Sequence, residues 1–228
     1  MARPDAAVYV AVLVAAVAAP AAAGERAPKL DLVWVDPTRM APGAFSTVKA
    51  ESSFLLGGLG ADVTWTQALD GAVLGPESMA VIVVPTHHFA GGEPRHVMGA
   101  TRPDTSLPPA VWVYPDEVAW ALGFDPRARV SWGSGQRIAF ALALARVVSH
   151  EIVHALGVPS HAAHGLMAAS LDRRALTAPT IVIDAATVAA VKRTLGGALV
   201  ARLSTPPLHA TPATAVPEGV IARRDPGR

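Results

Sequence analysis

The sequence has no cysteine. That excludes a disulfide framework and a lipid-attachment cysteine. It also has little excess charge. Its 19 Lys and Arg against 18 Asp and Glu leave a formal net charge of +1. No Lys/Arg stripe runs along the chain, so nucleic acid is not an expected partner. No internal repeat is visible. Glutamate is scarce downstream: after Glu151 the only one is Glu218. Much of the hydrophobic content is alanine, so the high average hydropathy does not mark a membrane protein.

What is present begins with a leader. Arg3 precedes an uninterrupted apolar run, Ala6 to Ala19, which Pro20 breaks. Ala21–Ala23 then offers an A-x-A cleavage site before Gly24 and Glu25. This is the layout of a secretory signal peptide. An uncleaved anchor is the competing reading, although the run is slightly short of a span. The expected organisation is a signal peptide over residues 1–23 and one domain over 24–203, dividing near 157, with a disordered tail over 204–228. The chain is then secreted or periplasmic, with no stable membrane insertion after cleavage.

Periodicity predicts the elements. Leu30–Val35 reads as a strand stopped by Asp36-Pro37. Phe45, Val48, Ser52, Leu55 and Leu59 recur at helical steps. Ala61–Thr66 alternates as a short strand, and Asp70-Gly71 is a turn. Met79–Val84 is a continuous apolar run, hence a strand covered on both faces. Pro85–Pro109 has no period and holds His87, His88 and His96, which read as solvated loop histidines. Val111–Tyr114 before Pro115 reads as an edge strand, because proline is confined to strand edges and ends. Asp116–Leu122 suits a short helix. With Ser134 as its N-cap, a long helix is expected over Arg137–Leu156, apolar on nearly every side and therefore buried. Short helices follow at Leu171–Ala175 and Asp184–Leu195. This order describes an α+β fold with the long helix packed under a twisted sheet.

That helix carries His150, Glu151 and His154 as His-Glu-x-x-His. Residues four apart share a face, so the two imidazoles form two claws of a metal site. Glu151 projects about 100° round the helix, within reach of a metal-bound water without being a ligand. A catalytic zinc takes three protein ligands and keeps a fourth position for water. A downstream glutamate is ruled out as the third, since Glu218 lies in the tail. Asp172 is a possible substitute. Gly157 lets the chain turn sharply, which makes His161 and His164 the nearer candidates.

The segment resembles the metzincin zinc peptidases, whose signature is H-E-x-x-H-x-x-G-x-x-H followed by a methionine turn. His150, Glu151, His154 and Gly157 match in register. The last histidine of the signature would fall at Ser160, and here His161 comes one residue later. The ending His161-Ala-Ala-His-Gly165-Leu166-Met167 is similar to that of compact secreted bacterial metzincin-like proteins. A second departure is Val153, where metzincins usually carry glycine. The resemblance implies a metzincin/zincin-like α+β fold. It would have a twisted, mostly parallel sheet with an antiparallel edge strand over a buried active-site helix, and a small helical C-terminal subdomain.

It also implies a Zn2+ ion on His150, His154 and His161, with Glu151 as general base and Met167 as the turn methionine. The substrate would be a peptide or protein, hydrolysed as an endopeptidase would. A latency switch built on cysteine is excluded. The alternatives are a zinc-dependent amidase of non-protein substrates, or a non-catalytic secreted metal-binding domain. An intact Glu151 speaks against the latter, since holding metal does not need it. The sequence specifies no oligomeric state.

Overall fold

The computed structural model describes residues 27–68, 75, 78–85, 97–101 and 109–204, with side chains in the last helix described to 197. The leader, the turn at Asp70-Gly71, His87, His88, His96 and the tail from 205 onward lie outside them. Within them, five strands make one mixed sheet: β1 (Lys29–Val35), β2 (Asp62–Gln67), β3 (Met79–Val83), β4 (Gly99–Thr101) and β5 (Ala110–Val113). The order across the sheet is β2-β1-β3-β5-β4. All neighbours are parallel except β4, which runs antiparallel to β5 at one end.

Burial follows the alternation of side chains along β1. Leu30, Leu32 and Trp34 are buried, and the residues between them are less so. A helix layer covers that face. α1 (Phe45–Gly58) contributes Val48, Ser52, Leu55 and Leu56 to it. α3 (Ser134–Ala155) packs against α1, β4 and β5. α2 (Pro115–Ala121), α4 (Arg173–Thr177) and α5 (Ala185–Ser204) complete the helices. α3 is long and apolar enough to cross a membrane by length alone, but most of its surface is buried inside this protein. Trp34, Trp65 and Trp132 sit in the core, while Trp112 in β5 is half-buried.

Three expectations are corrected. Val111–Tyr114 is not the edge: β5 lies inside the sheet, between β3 and β4. Pro115 misled because it opens α2, where a first-turn residue has no intrahelical N–H bond to lose. The edges among the described strands are β2 and β4, and β4 lies inside the stretch expected to be structureless. Gly-Ala-Thr is too short and too small to show a hydrophobic period, and only its pairing with β5 makes it a strand. The N-cap of α3 is Gly133 rather than Ser134. The Gly133 N–H donates to Gln136 Oε1 at 3.1 Å, the side-chain half of a capping box.

α3 also buries a charge that its apolar pattern concealed. Arg146 is 1% exposed. Its Nε donates to Glu51 Oε1 at 3.3 Å, and Nη1 donates to the Ala175 carbonyl at 2.8 Å. One guanidinium therefore ties α1, α3 and the start of the C-terminal helices. A buried ion of this kind is tolerated only with its donors filled.

Candidate metal centre

The centre is built at the C-terminal end of α3. His150 and Glu151 are each 8% exposed, in a helix whose neighbours on the sheet side are apolar. His150 Nδ1 lies 2.7 Å from the Leu166 carbonyl, and His154 Nδ1 lies 2.7 Å from the Val158 carbonyl. A carbonyl can only accept, so each Nδ1 carries the proton. Each Nε2 is then a lone pair. The two Nε2 atoms face one another at 3.0 Å, and His154 Nε2 lies 3.2 Å from His161 Nε2. The three imidazoles form a group whose ligand atoms all lie within 4.8 Å of one another.

These separations fit one metal ion. Zn–N bonds of about 2.0–2.1 Å in a tetrahedral site put ligand nitrogens about 3.3 Å apart. Lone pairs face to face at 3.0 Å repel unless a proton or a cation lies between them. Burial opposes the proton: it pushes His150 down to about 4, with its bond to Leu166 acting the other way. Burial lowers His154 as well, against its bond to Val158. Burial thus favours neutral nitrogens on His150 and His154, the form in which imidazole binds a divalent metal such as zinc. The carbonyl partners orient the rings as outer-shell groups do around metal-bound histidines.

The turn after α3 supplies those partners. Gly157 has φ +87°. Its N–H donates to the His154 carbonyl at 2.9 Å, and the Val158 N–H donates to the Val153 carbonyl at 3.3 Å. This paired pattern is a Schellman cap, with Val158 and Val153 both buried. The same cap swings the Val158 carbonyl back onto the His154 ring. Farther on, the Ala162 N–H donates to the Met167 carbonyl at 2.7 Å, which closes the loop that presents His161. Met167 itself is 1% exposed. Gly165 takes φ +82°, and a β-carbon there would lie 2.3 Å from the Val182 carbonyl oxygen. The neighbouring Leu166 N–H bonds that oxygen at 2.8 Å.

Glu151 lies on the sheet side of the cleft. Thr101 Oγ1 donates within reach of both the Glu151 carbonyl, at 2.8 Å, and its Oε2, at 3.0 Å. Burial pushes the Glu151 carboxyl up to about 7, and the Thr101 bond pulls it back. Its value is therefore poised to exchange protons near neutrality. Gly99 lets the β4 backbone come against this side chain. Tyr114 is close enough that, after burial, the Glu151 charge is the second cause raising its phenol. One cleft of about 330 Å³ is lined by His150, Glu151, His154 and His161, with Gly99 on its sheet side.

The structure thus brings His150, Glu151, His154 and His161 to one cleft. His164 is exposed and outside the histidine group. Asp172 is spent elsewhere: it caps α4, accepting the Ala175 N–H at 2.8 Å. Gly99, Thr101 and Tyr114 were not foreseen. Their only signal in the sequence was a small-residue stretch and a strand end, neither of which points at a glutamate on α3.

No protein-family model and no curated protein matches this chain. Among solved structures, it is similar to the archaemetzincin from Methanopyrus kandleri. The TM-score is 0.48 at 17% identity, over 75% of this chain and 97% of that one.

Proposed function

We propose that this chain is a zinc-dependent peptidase that hydrolyses peptide bonds, with His150, His154 and His161 holding the metal. The observation that carries the proposal is the convergence of three imidazole Nε2 atoms beside a buried glutamate, with two of the rings locked by backbone carbonyls. Zinc bound there would supply Lewis acidity, acidifying a water and polarising a substrate carbonyl.

The chain's own residues do the rest. Glu151 takes the proton as water attacks the carbonyl carbon, then delivers it to the leaving amine. Its raised carboxyl suits both directions of transfer. Thr101 holds one carboxylate oxygen, so the other is free to face the cleft. β4 lies at the sheet end and its Gly99 lines the cleft, which supports binding of an extended peptide by strand addition. The proposed setting is outside the cytoplasm, on the strength of the apolar run Ala6–Ala19 and the cleavage site Ala21–Ala23.

The test is to purify the chain, measure bound zinc, and assay a mixed peptide library beside Glu151→Gln. The expected result is one zinc per chain in both proteins, with cleavage abolished in the variant. Zinc without Glu151-dependent cleavage of any peptide would overturn the peptidase reading.

A further inference from the structure

A second concave site lies at the other end of α3. A cavity of about 630 Å³ opens between the segment Arg39–Ala44, which leads into α1, and a 3-10 turn over Pro126–Ser131. That volume is in the range of small-molecule sites. At about 1.5 Å of rise per residue, Arg137 in its wall stands about 20 Å along α3 from His150. The cavity is therefore separate from the metal centre.

Its lining has an unusual division. Trp132 and Phe140 form an apolar floor, with ring centroids 5.1 Å apart. The charged residues that line it are Arg39, Arg127, Arg129 and Arg137, and no carboxylate is among the lining residues. Arg129 is fixed in place. Its Nη2 donates to Asp116 Oδ1 at 2.8 Å, and its guanidinium carbon sits 5.4 Å from both aromatic centroids. Its Nε is buried with no hydrogen-bond partner among the described residues. Arg137 is steadied by a bond from Nη2 to the Val130 carbonyl at 3.1 Å. Arg39 is the non-glycine residue with positive φ, +52°, among the described residues. Such a backbone is costly and concentrates at ligand clamps. The first turn of α3, beside this wall, carries no acidic residue to offset the helix dipole.

Asp36, Asp125 and Asp116 bond the wall from behind, at Met40 and Ala41, at Arg127 and at Arg129, while only the four arginines bring charge to the cavity lining. A lining charged only by arginines favours an anion, and guanidinium forks match phosphate oxygens in pairs. Trp132 and Phe140, each 4% exposed and overlain by Arg129, offer an apolar group only the ring edges that reach the cavity. We infer that this cavity binds an organic phosphate, with the phosphate on the arginines and an aromatic or apolar group against Trp132 and Phe140. The inference does not depend on the proposed peptidase activity.

Calorimetric titration of the full chain with phenyl phosphate, inorganic phosphate and benzoate tests it. Phenyl phosphate is expected to bind in a saturable way at one site, more tightly than either of the others. Arg127→Ala with Arg137→Ala should weaken it roughly tenfold or more, since each loses charged hydrogen bonds. Arg39→Ala, on a different segment, should weaken it as well, and zinc content should stay unchanged in both variants. Saturable binding that survives these variants, equal affinity for benzoate or inorganic phosphate, or no saturable heat from phenyl phosphate would each overturn the assignment.

Discussion

The backbone of Gly99 passes so close to Glu151 that a β-carbon on it would lie 2.6 Å from Glu151 Cγ and 3.0 Å from Oε1. The edge strand is thus pressed onto the residue that carries the proposed proton transfer. Gly99→Ala must push that side chain or the strand away. We expect a loss of roughly 1–3 kcal/mol in stability, the usual scale of overpacking. Activity should fall by about 100-fold, since displacement of a reacting group by about 1 Å costs that much. Bound zinc should persist, because the three histidines stand apart from the clash. Zinc content, a urea melt and kcat/KM on a cleaved peptide check the three parts.

His161 and His164 give a direct contrast. His161 Nε2 lies 3.2 Å from His154 Nε2, while His164 is exposed and outside the group. His161→Ala is expected to lower zinc affinity by two orders of magnitude or more, roughly one charged-strength interaction or better. His164→Ala should leave it unchanged. Competition with a zinc chelator reads both, and retained affinity in His161→Ala would remove it as a ligand.

The two turn glycines should differ in how they fail. Gly157→Ala meets only the strain of φ +87°, with the nearest atom at an ordinary 3.7 Å. A loss of about 1 kcal/mol is expected. Gly165→Ala adds a collision with the Val182 carbonyl at 2.3 Å. It should destabilise several-fold more and weaken zinc binding, because the neighbouring Leu166 carbonyl orients His150. Chemical denaturation with and without zinc ranks the two, and a smaller effect at Gly165 would contradict this geometry.

Acid should erase one helix cap. Asp184 accepts the Thr187 N–H at 2.9 Å and the Thr187 hydroxyl at 2.6 Å. These bonds hold its carboxyl below the ordinary value of 3.8. A depressed carboxyl contributes stability that is full above 3.8 and disappears as pH falls through the lower folded value. Asp184→Ala should therefore cost about 1 kcal/mol at neutral pH, the usual worth of a cap. The gap to the parent should close at acid pH. Thermal melts at several pH values would show it, and a gap that widens in acid would contradict the cap.

Much of the fold was legible because burial imposes periods. Leu30–Val35 and Met79–Val84 read as strands, and Phe45 to Leu59 as a helix, because each must turn an apolar face inward, and β1, β3 and α1 form there. Pro115 shows where such reading slips. A proline ends a strand and begins a helix by the same loss of an N–H, and only the pairing partners of β5 decide which. Arg146 shows the converse: a charge buried within an apolar helix, where Glu51 and the Ala175 carbonyl make burial possible.

The sequence by itself determined the pair of imidazoles and the glutamate, because helix geometry fixes what lies four and one residues apart. It also determined the sharp turn at Gly157, since positive φ favours glycine. Only the tertiary structure decided which atoms surround them. The Leu166 and Val158 carbonyls that orient the rings carry no side-chain signature. Neither does the β4 backbone at Gly99, nor the Thr101 hydroxyl that holds Glu151, both contributed by a strand some fifty residues earlier. Long-range contacts of backbone and small residues leave no period in a chain, and they appear only when the sheet and helix are packed together.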